Sequence, residues 1–162
     1  GGKVMGICGG LQMLGNAIHD PNGIEGEAGS STGLGLLDFE TTLQPEKALL
    51  NVTGKVKNSD ISIQGYEIHA GNSEGPAFKH CLFQLENHED GIMNDEQTVL
   101  ASYIHGIFDE PDMLAYLLTW AGLSNFESFD YHKHQMAELD RLADEVEKAI
   151  PLSSLMQLLR PQ

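Results

Sequence analysis

Residues 4–15, VMGICGGLQMLG, constrain the fold of this chain more than any other stretch. The short apolar run predicts a β-strand over residues 3–7, and leucines at helical spacing predict a helix over residues 9–17. Cys8 is therefore expected at a sharp turn from strand to helix, where neighbouring glycines avoid side-chain clashes. Such a turn presents its side chain outwards, beside the N–H groups of the helix start.

Two interpretations of Cys8 follow from this pattern. As a nucleophile, a cysteine benefits from a helix start, which favours the thiolate, and the backbone N–H of Gly9 can donate to an oxyanion. Alternatively, Cys8 is a buried cysteine on a tight turn, because free cysteine is among the most buried residue types. The G-x-C-x-G pattern alone permits acyl-transfer chemistry without requiring it.

A thiolate nucleophile needs a base, and the chain contains seven histidines. His105 stands out because it ends the apolar run VLASYI and precedes a glycine, which predicts the end of a strand. His69 also ends a strand-like run, GYEIH. The other five have contexts typical of solvated or packed histidines, namely His19 late in the first predicted helix, His80 and His88 beside polar turns, and His132 and His134 in a helical stretch.

The middle of the chain is predicted to be rich in strands, with helices at both ends, which indicates an α/β fold. A Gly- and Asn-rich loop is predicted over residues 20–35. Pro111 is expected to begin a helix, and a last helix with an apolar stripe is expected to end before Pro151. The strands are predicted over residues 36–43, 52–57, 61–69, 81–85 and 98–104, and the last helix over residues 128–150.

The charge balance excludes several classes of partner. Lys and Arg number 9 against 24 Asp and Glu, giving a net charge of −15. Such a surface repels phosphate backbones and anionic lipids, so neither a nucleic acid nor a membrane is expected as a partner. Cys8 and Cys81 do not make a disulfide framework, which predicts a cytoplasmic location. No His, Cys, Asp or Glu spacing predicts a metal site.

Four motifs, in order along the chain, resemble those of glutamine amidotransferases. Residues Gly6, Cys8, Gly10 and Gln12 fit the class I (triad-type) elbow pattern G-x-C-x-G-x-Q. Three further stretches narrow the resemblance to the glutaminase domain of the cobyric acid synthase family: HDPNGIEG with GLGLLDFETTL, then GYEIHAGN, then YIHGIFD. The resemblance covers most of the chain. It implies one amidotransferase domain over residues 1–162 with a flavodoxin-like three-layer α/β sandwich.

The resemblance also implies a mechanism. Cys8 attacks the side-chain amide of glutamine, His105 passes the thiol proton to the departing ammonia, and the glutamyl thioester is hydrolysed. Gln12, one helical turn after Cys8, is expected to face the bound glutamine. No cofactor is expected on this chain. In the family, an upstream synthetase domain uses ATP and Mg²⁺ to amidate corrinoid carboxylates, converting adenosylcobyrinic acid a,c-diamide into adenosylcobyric acid.

The sequence departs from the wider class in two places. Many class I members carry a glutamate two residues after the histidine, where this chain has Ile107. The cobyric acid synthase group also lacks that glutamate, so this departure agrees with the narrower resemblance. The third member of the triad is therefore open, with Glu67 and Asp109 as candidates. Glu67 is interpreted either as a substrate-binding residue or as an exposed strand residue beside His69.

The second departure concerns the beginning of the chain. The family has strands before the elbow, and a loop among them supplies the second oxyanion N–H. These strands have no counterpart here, which predicts a fragment of a larger two-domain protein with impaired glutaminase activity. Three functions stay open: the cobyric acid synthase glutaminase, which is favoured; the same chemistry in cobyrinic acid a,c-diamide synthase; and a catalytically inactive amidotransferase-like binding module.

Overall fold

The computed structural model describes residues 2–127 and 129–150. The chain divides after Phe126 into two compact units, which are described separately. The strands are β1 (Val4–Ile7), β2 (Ala17–Asp20), β3 (Gly29–Thr32), β4 (Glu40–Val56), β5 (Ser62–Glu74), β6 (Phe83–Leu85), β7 (Glu89–Asp90), β8 (Ile92–Met93), β9 (Val99–Ser102) and β10 (Ile104–His105). The helices are α1 (Gly9–Leu14), α2 (Pro111–Ala121) and α3 (Tyr131–Ala149), with a 3-10 turn at Pro76–His80.

A small sheet carries the elbow. Its strand order is β1-β9-β8, with β1 parallel and β8 antiparallel to β9. All four residues of β9 are buried, which fits the apolar run of a central strand. Ile7, the last residue of β1, lies opposite Ser102, the last residue of β9. Cys8 therefore leaves the sheet at the same end as the segment leading to His105.

A larger mixed sheet forms the rest of the first unit. Its strand order is β10-β5-β4-β2-β3, and β6 and β7 extend it from β4. The strand β10 is antiparallel to β5, which places His105 opposite Tyr66 and Ile104 opposite Glu67. The predicted strand over residues 98–104 thus contributes to both sheets. The chain changes sheets at Tyr103, whose N–H donates to the carboxylate of Asp90 at 3.1 Å.

Several predictions from the sequence are confirmed. The mixed α/β class, the strand ending at Ile7 and the helix beginning at Pro111 all appear as expected. The flavodoxin-like three-layer arrangement stays a prediction, because the described residues form two sheets with few helices.

The helix predicted over residues 9–17 is wrong at its C-terminal end. The helix α1 stops at Leu14, and the next strand begins at Ala17. Gly15 adopts an extended conformation, and a side-chain carbon there would lie 2.8 Å from Phe39. This close approach and strand pairing override the helical spacing. His19 consequently lies in β2 rather than in a helix.

The strands predicted over residues 36–43 and 52–57 are one strand, β4, with a register shift between Leu43 and Ala48. Pro45 lies within the shifted segment, where its missing N–H interrupts no regular pairing. The loop predicted over residues 20–35 also contains a short strand, β3, paired antiparallel with β2.

Two apolar clusters stabilise the first unit. One contains Leu100, Ile104 and Met113, so that it joins β9, β10 and α2. The other contains Leu11 and Phe39, which lie on α1 and just before β4. Burial of Ile104 therefore anchors the strand that carries His105, and burial of Leu11 anchors the helix that begins at Cys8.

The second unit contains α3. Its N-cap is Asp130, whose side chain accepts a hydrogen bond from the Lys133 N–H at 2.8 Å. Ser128 and Pro151, which bound the predicted helix, lie outside the described residues. The predicted apolar stripe is about half exposed. Within residues 2–127 and 129–150, no helix combines the length and apolarity needed to cross a membrane.

Candidate active site

Cys8 occupies a strained turn between β1 and α1. Its φ is 53° and its ψ −114°, in the left-handed half of conformational space that costs a non-glycine residue about 1–3 kcal/mol. The Cys8 N–H donates to the Ser102 carbonyl at 2.9 Å, which fixes the turn to β9. A side-chain carbon on Gly6 would lie 2.6 Å from the Gly10 carbonyl oxygen, so the turn requires glycine there. Such strain is typical of a nucleophile elbow.

A cavity of about 100 Å³ opens beside this turn. It brings together three of the predicted site residues, Cys8, Gly9 and Gln12. Neither His105 nor Glu67 lines it. The remaining lining residues come from the loop after β2, from β4 and from β5: Glu25, Lys47, Ile68, His69 and Ala70.

The thiol of Cys8 contacts β5 rather than a histidine in this structure. Its sulfur lies 3.5 Å from the Ile68 carbonyl oxygen, to which the S–H donates a weak hydrogen bond. Transfer of the thiol proton to His105 therefore requires the S–H to leave this carbonyl.

His105 follows the strand that neighbours the elbow. Its ring stacks on Tyr66, with centroids 5.0 Å apart and planes 8° apart. Its Nε2 is buried and has no hydrogen-bond partner among the described residues. An unpaired buried ring nitrogen costs about 1–3 kcal/mol. This arrangement suits a base whose partner is a reacting group.

The side chain of Gln12 is positioned by the hydroxyl group of Tyr103, which in turn contacts Ser73. Its amide nitrogen lies 3.4 Å from the Tyr103 hydroxyl, which is 2.6 Å from the Ser73 hydroxyl. Burial raises the pKa of Tyr103, so this phenol stays protonated as a hydrogen-bond partner. A side-chain carbon on Gly71 would lie 2.3 Å from the Gln12 amide nitrogen. Because Gly71 has no side chain, the amide of Gln12 fits beside it.

Replacing Gly71 with alanine is expected to displace the Gln12 amide, because that amide is the movable end of a side chain. We expect the KM for the substrate that binds at Cys8 to rise about tenfold and the free energy of unfolding to fall by about 1–3 kcal/mol. Gly29→Ala is the matched control, since the nearest atom to the added carbon is 4.0 Å away. Steady-state kinetics and urea unfolding measure both effects. An unchanged KM for Gly71→Ala would contradict the placement of Gln12.

Glu67 lies behind the cavity and binds two histidines. It is 4% exposed, so the interpretation of it as an exposed strand residue is wrong. Its carboxylate lies 2.8 Å from His88 Nε2 and 3.4 Å from His69 Nε2. Burial disfavours the carboxylate, but the hydrogen bonds from His69 and His88 outweigh it and lower the pKa of Glu67. A direct role for Glu67 in substrate binding stays a prediction.

His69 lies at the cavity wall, where both of its ring nitrogens have partners. Its Nδ1 donates to the Gly71 carbonyl at 2.8 Å, and its Nε2 faces Glu67. Burial opposes its protonation, but the hydrogen bonds to Glu67 and Gly71 outweigh burial and raise the pKa of His69. Its ring stacks on Tyr103 at a centroid distance of 3.8 Å. His69 therefore supports the residue that holds Gln12, while both of its N–H groups are engaged.

Neither candidate for the third member of the triad, both of which lie in the described part of the chain, hydrogen-bonds to His105. Glu67 binds other histidines, and the backbone N–H of Asp109, an exposed residue, donates to the Gly106 carbonyl. One sequence signal pointed to His69, because alternation along a strand places Glu67 and His69 on the same face. No sequence pattern pointed to His88, Glu25 or Lys47, which distant segments bring to the site.

A larger cavity, of about 540 Å³, lies away from these residues. Three carboxylates, those of Asp38, Glu40 and Glu74, contribute to its lining, and none of its described lining residues is a cysteine or histidine. Like charge would repel an anionic substrate there. The smaller cavity at Cys8 is therefore the candidate active site.

The elbow and its cavity place this chain in the class of proteins that present a cysteine at a strand-to-helix turn. Comparison with known families specifies the class further. A family model, the CobB/CobQ-like glutamine amidotransferase domain, matches residues 1–113. The chain belongs to this family. Membership supports a glutaminase role in cobalamin-related amidation, with glutamine as the substrate.

Proposed function

We infer that this chain hydrolyses glutamine at Cys8 and supplies ammonia for amidation of a corrinoid, as the glutaminase portion of a cobyric acid synthase. The observation that carries the proposal is the position of Cys8. It lies in a strained elbow and lines one cavity with Gly9 and Gln12. The chain also belongs to the amidotransferase family described above.

In the proposed reaction, Cys8 Sγ bonds to the amide carbon of glutamine while His105 Nε2 takes the thiol proton. The Gly9 N–H donates to the oxyanion, and the C–N bond breaks as His105 returns the proton to the leaving ammonia. Water then cleaves the thioester and releases glutamate. His69 is unsuited to act as the base because both of its N–H groups are engaged. His105 Nε2, by contrast, has no hydrogen-bond partner within residues 2–127 and 129–150.

The ammonia acceptor is assigned by the resemblance of the motifs. The synthetase domain of the family uses ATP and Mg²⁺, and the proposal gives the present chain no cofactor. The same glutaminase would serve a cobyrinic acid a,c-diamide synthase equally well, since acceptor choice rests with the synthetase. Both assignments share Cys8 as the nucleophile.

Isotope transfer in the full-length protein tests the assignment. We expect amide-¹⁵N glutamine, ATP and Mg²⁺ to give four labelled amides on adenosylcobyrinic acid a,c-diamide, read by mass spectrometry. Cys8→Ser should abolish transfer from glutamine while free ammonia still supports amidation. Labelling of only the a and c positions of cobyrinic acid would favour the diamide synthase. Absence of glutamine hydrolysis would favour an inactive binding module.

A further inference from the structure

Two charged side chains of the Cys8 cavity have no role in the reaction described above. Glu25 comes from the loop between β2 and β3, and Lys47 from the shifted segment of β4. We propose that these two residues determine specificity for free glutamine: Glu25 binds the α-ammonium group of the substrate, and Lys47 binds its α-carboxylate. This assignment rests on the proposed function, since it presumes that glutamine presents its side-chain amide to Cys8.

The cavity has the size for this binding mode. Its volume of about 100 Å³ is well below the roughly 300–1,000 Å³ of pockets that enclose drug-sized ligands, so it suits a small side-chain amide. The buried end, at Cys8 and Gln12, accommodates a side-chain amide. Glu25 and Lys47 are exposed, so they lie at the cavity opening, where the charged head group of an amino acid would remain.

Glu25 is positioned by its own loop. The carboxylate of Asp20 accepts hydrogen bonds from the backbone N–H groups of Ile24 at 2.7 Å and Glu25 at 3.0 Å. These backbone hydrogen bonds lower the pKa of Asp20. Gly23 takes the left-handed conformation, with φ of 64°, that the turn requires. The loop is thus fixed through its backbone, which leaves the Glu25 carboxylate available to a ligand.

Lys47 is the cation with available donors in the cavity lining. His69 also lines the cavity, but its ring nitrogens already bind Glu67 and Gly71. Neither Glu25 nor Lys47 forms an ion pair with the described part of the chain, whereas Lys57 pairs with Glu89 at 2.8 Å. The negative charge of Glu25 and the positive charge of Lys47, both at the opening of the Cys8 cavity, are complementary to the ammonium and carboxylate groups of an amino acid.

The negative charge of the whole chain explains why a carboxylate substrate needs a local cation such as Lys47. With a net charge of −15, the chain repels an approaching carboxylate unless a local cation offsets that repulsion. A glutamine residue inside a peptide has neither an α-ammonium nor an α-carboxylate group. The pair would therefore also select free glutamine over glutamine within a protein.

Substrate analogues that lack one charge separate the two roles. Glutaramate lacks the α-ammonium group, and 4-aminobutanamide lacks the α-carboxylate. On the full-length protein, we expect Glu25→Gln to raise the KM for glutamine and 4-aminobutanamide about 10- to 100-fold, with kcat within about threefold. The KM for glutaramate should not change.

Lys47→Met should give the reciprocal pattern. The KM for glutamine and glutaramate should rise about 10- to 100-fold, and that for 4-aminobutanamide should stay the same. The matched controls are Glu27→Gln, in the loop that carries Glu25, and Lys55→Met, on β4. Neither control residue lines the cavity, so both should leave every KM unchanged.

Unchanged KM values in both variants of an active enzyme would overturn the proposal while leaving glutamine hydrolysis at Cys8 intact. If the wild-type protein does not turn over glutamine, isothermal titration calorimetry of glutamine binding tests the proposal instead. Binding that weakens in Glu25→Gln and Lys47→Met would support the proposal and refute catalysis. Absence of binding would overturn both.

Discussion

Replacing His105 with asparagine is expected to lower kcat for glutamine hydrolysis by about 100- to 10,000-fold, the range that general bases contribute. His105 Nε2 is buried and has no partner among the described residues, so it can accept the thiol proton. Asparagine cannot accept and return that proton. The KM should change little, because the cavity lining does not include His105. Single-turnover measurement of ammonia release isolates this step.

His19→Gln is the control for the loss of an imidazole. His19 contacts Ser30 and Glu40 and lies outside the cavity lining. Its replacement should leave kcat unchanged. A His105→Asn enzyme that folds and retains more than about a tenth of wild-type kcat would show that another group acts as the base.

Replacing Glu67 with glutamine is expected to lower the free energy of unfolding by about 3 kcal/mol near pH 6, which is typical of breaking a buried ion pair. The side chains of Glu67 and His69 are 5% and 15% exposed, respectively. A glutamine amide would direct N–H groups towards one of the two histidine donors, leaving a donor unpaired. The contact with His88, whose side chain is 38% exposed, contributes less.

The stabilisation from Glu67 and His69 has a defined pH window. The pKa of Glu67 is lowered from 4.5 by folding, so its contribution is lost as the pH falls below 4.5 through the folded value. The pKa of His69 is raised from 6.5, so its contribution is lost as the pH rises above 6.5 through the folded value. The contact with His88 lowers the pKa of Glu67 further, and the charge of Asp90 raises the pKa of His69 further.

Urea unfolding of wild type and Glu67→Gln between pH 4 and 9 measures this window. The difference in unfolding free energy should be largest between pH 4.5 and 6.5 and decline on both sides. Glu89→Gln, which breaks an exposed pair with Lys57, should cost less than about 1 kcal/mol. A Glu67→Gln effect as small as that of Glu89→Gln would show that Glu67 does not stabilise the cavity wall.

The elbow was predictable from sequence because its determinants are local. A strand, a cysteine between glycines and a helix occupy adjacent positions, and close packing of Gly6 against Gly10 enforces the turn. The end of α1 was not predictable from spacing alone. Gly15 leaves the helix because its backbone packs against Phe39, and the intervening segment of more than twenty residues hides that contact.

The cavity wall required the tertiary structure. Long-range pairing of β4 with β5 brings the shifted segment around Lys47 towards His69. A side-chain contact between distant segments places His88 on Glu67. Alternation along β5 indicated only that Glu67 and His69 share a face. The sequence therefore predicts the nucleophile and its helix, while the residues around the substrate follow from the register of the sheet.

Covalent labelling of Cys8 by a glutamine analogue tests most directly that this cysteine is the glutamine-reactive nucleophile. After exposure of the protein to 6-diazo-5-oxo-norleucine, peptide mass spectrometry should find Cys8 modified and Cys81, which is buried, unmodified. Excess glutamine should protect Cys8, and His105→Ala should slow its labelling. Labelling of Cys81 alone, or of neither cysteine in the folded protein, would contradict glutamine hydrolysis at Cys8.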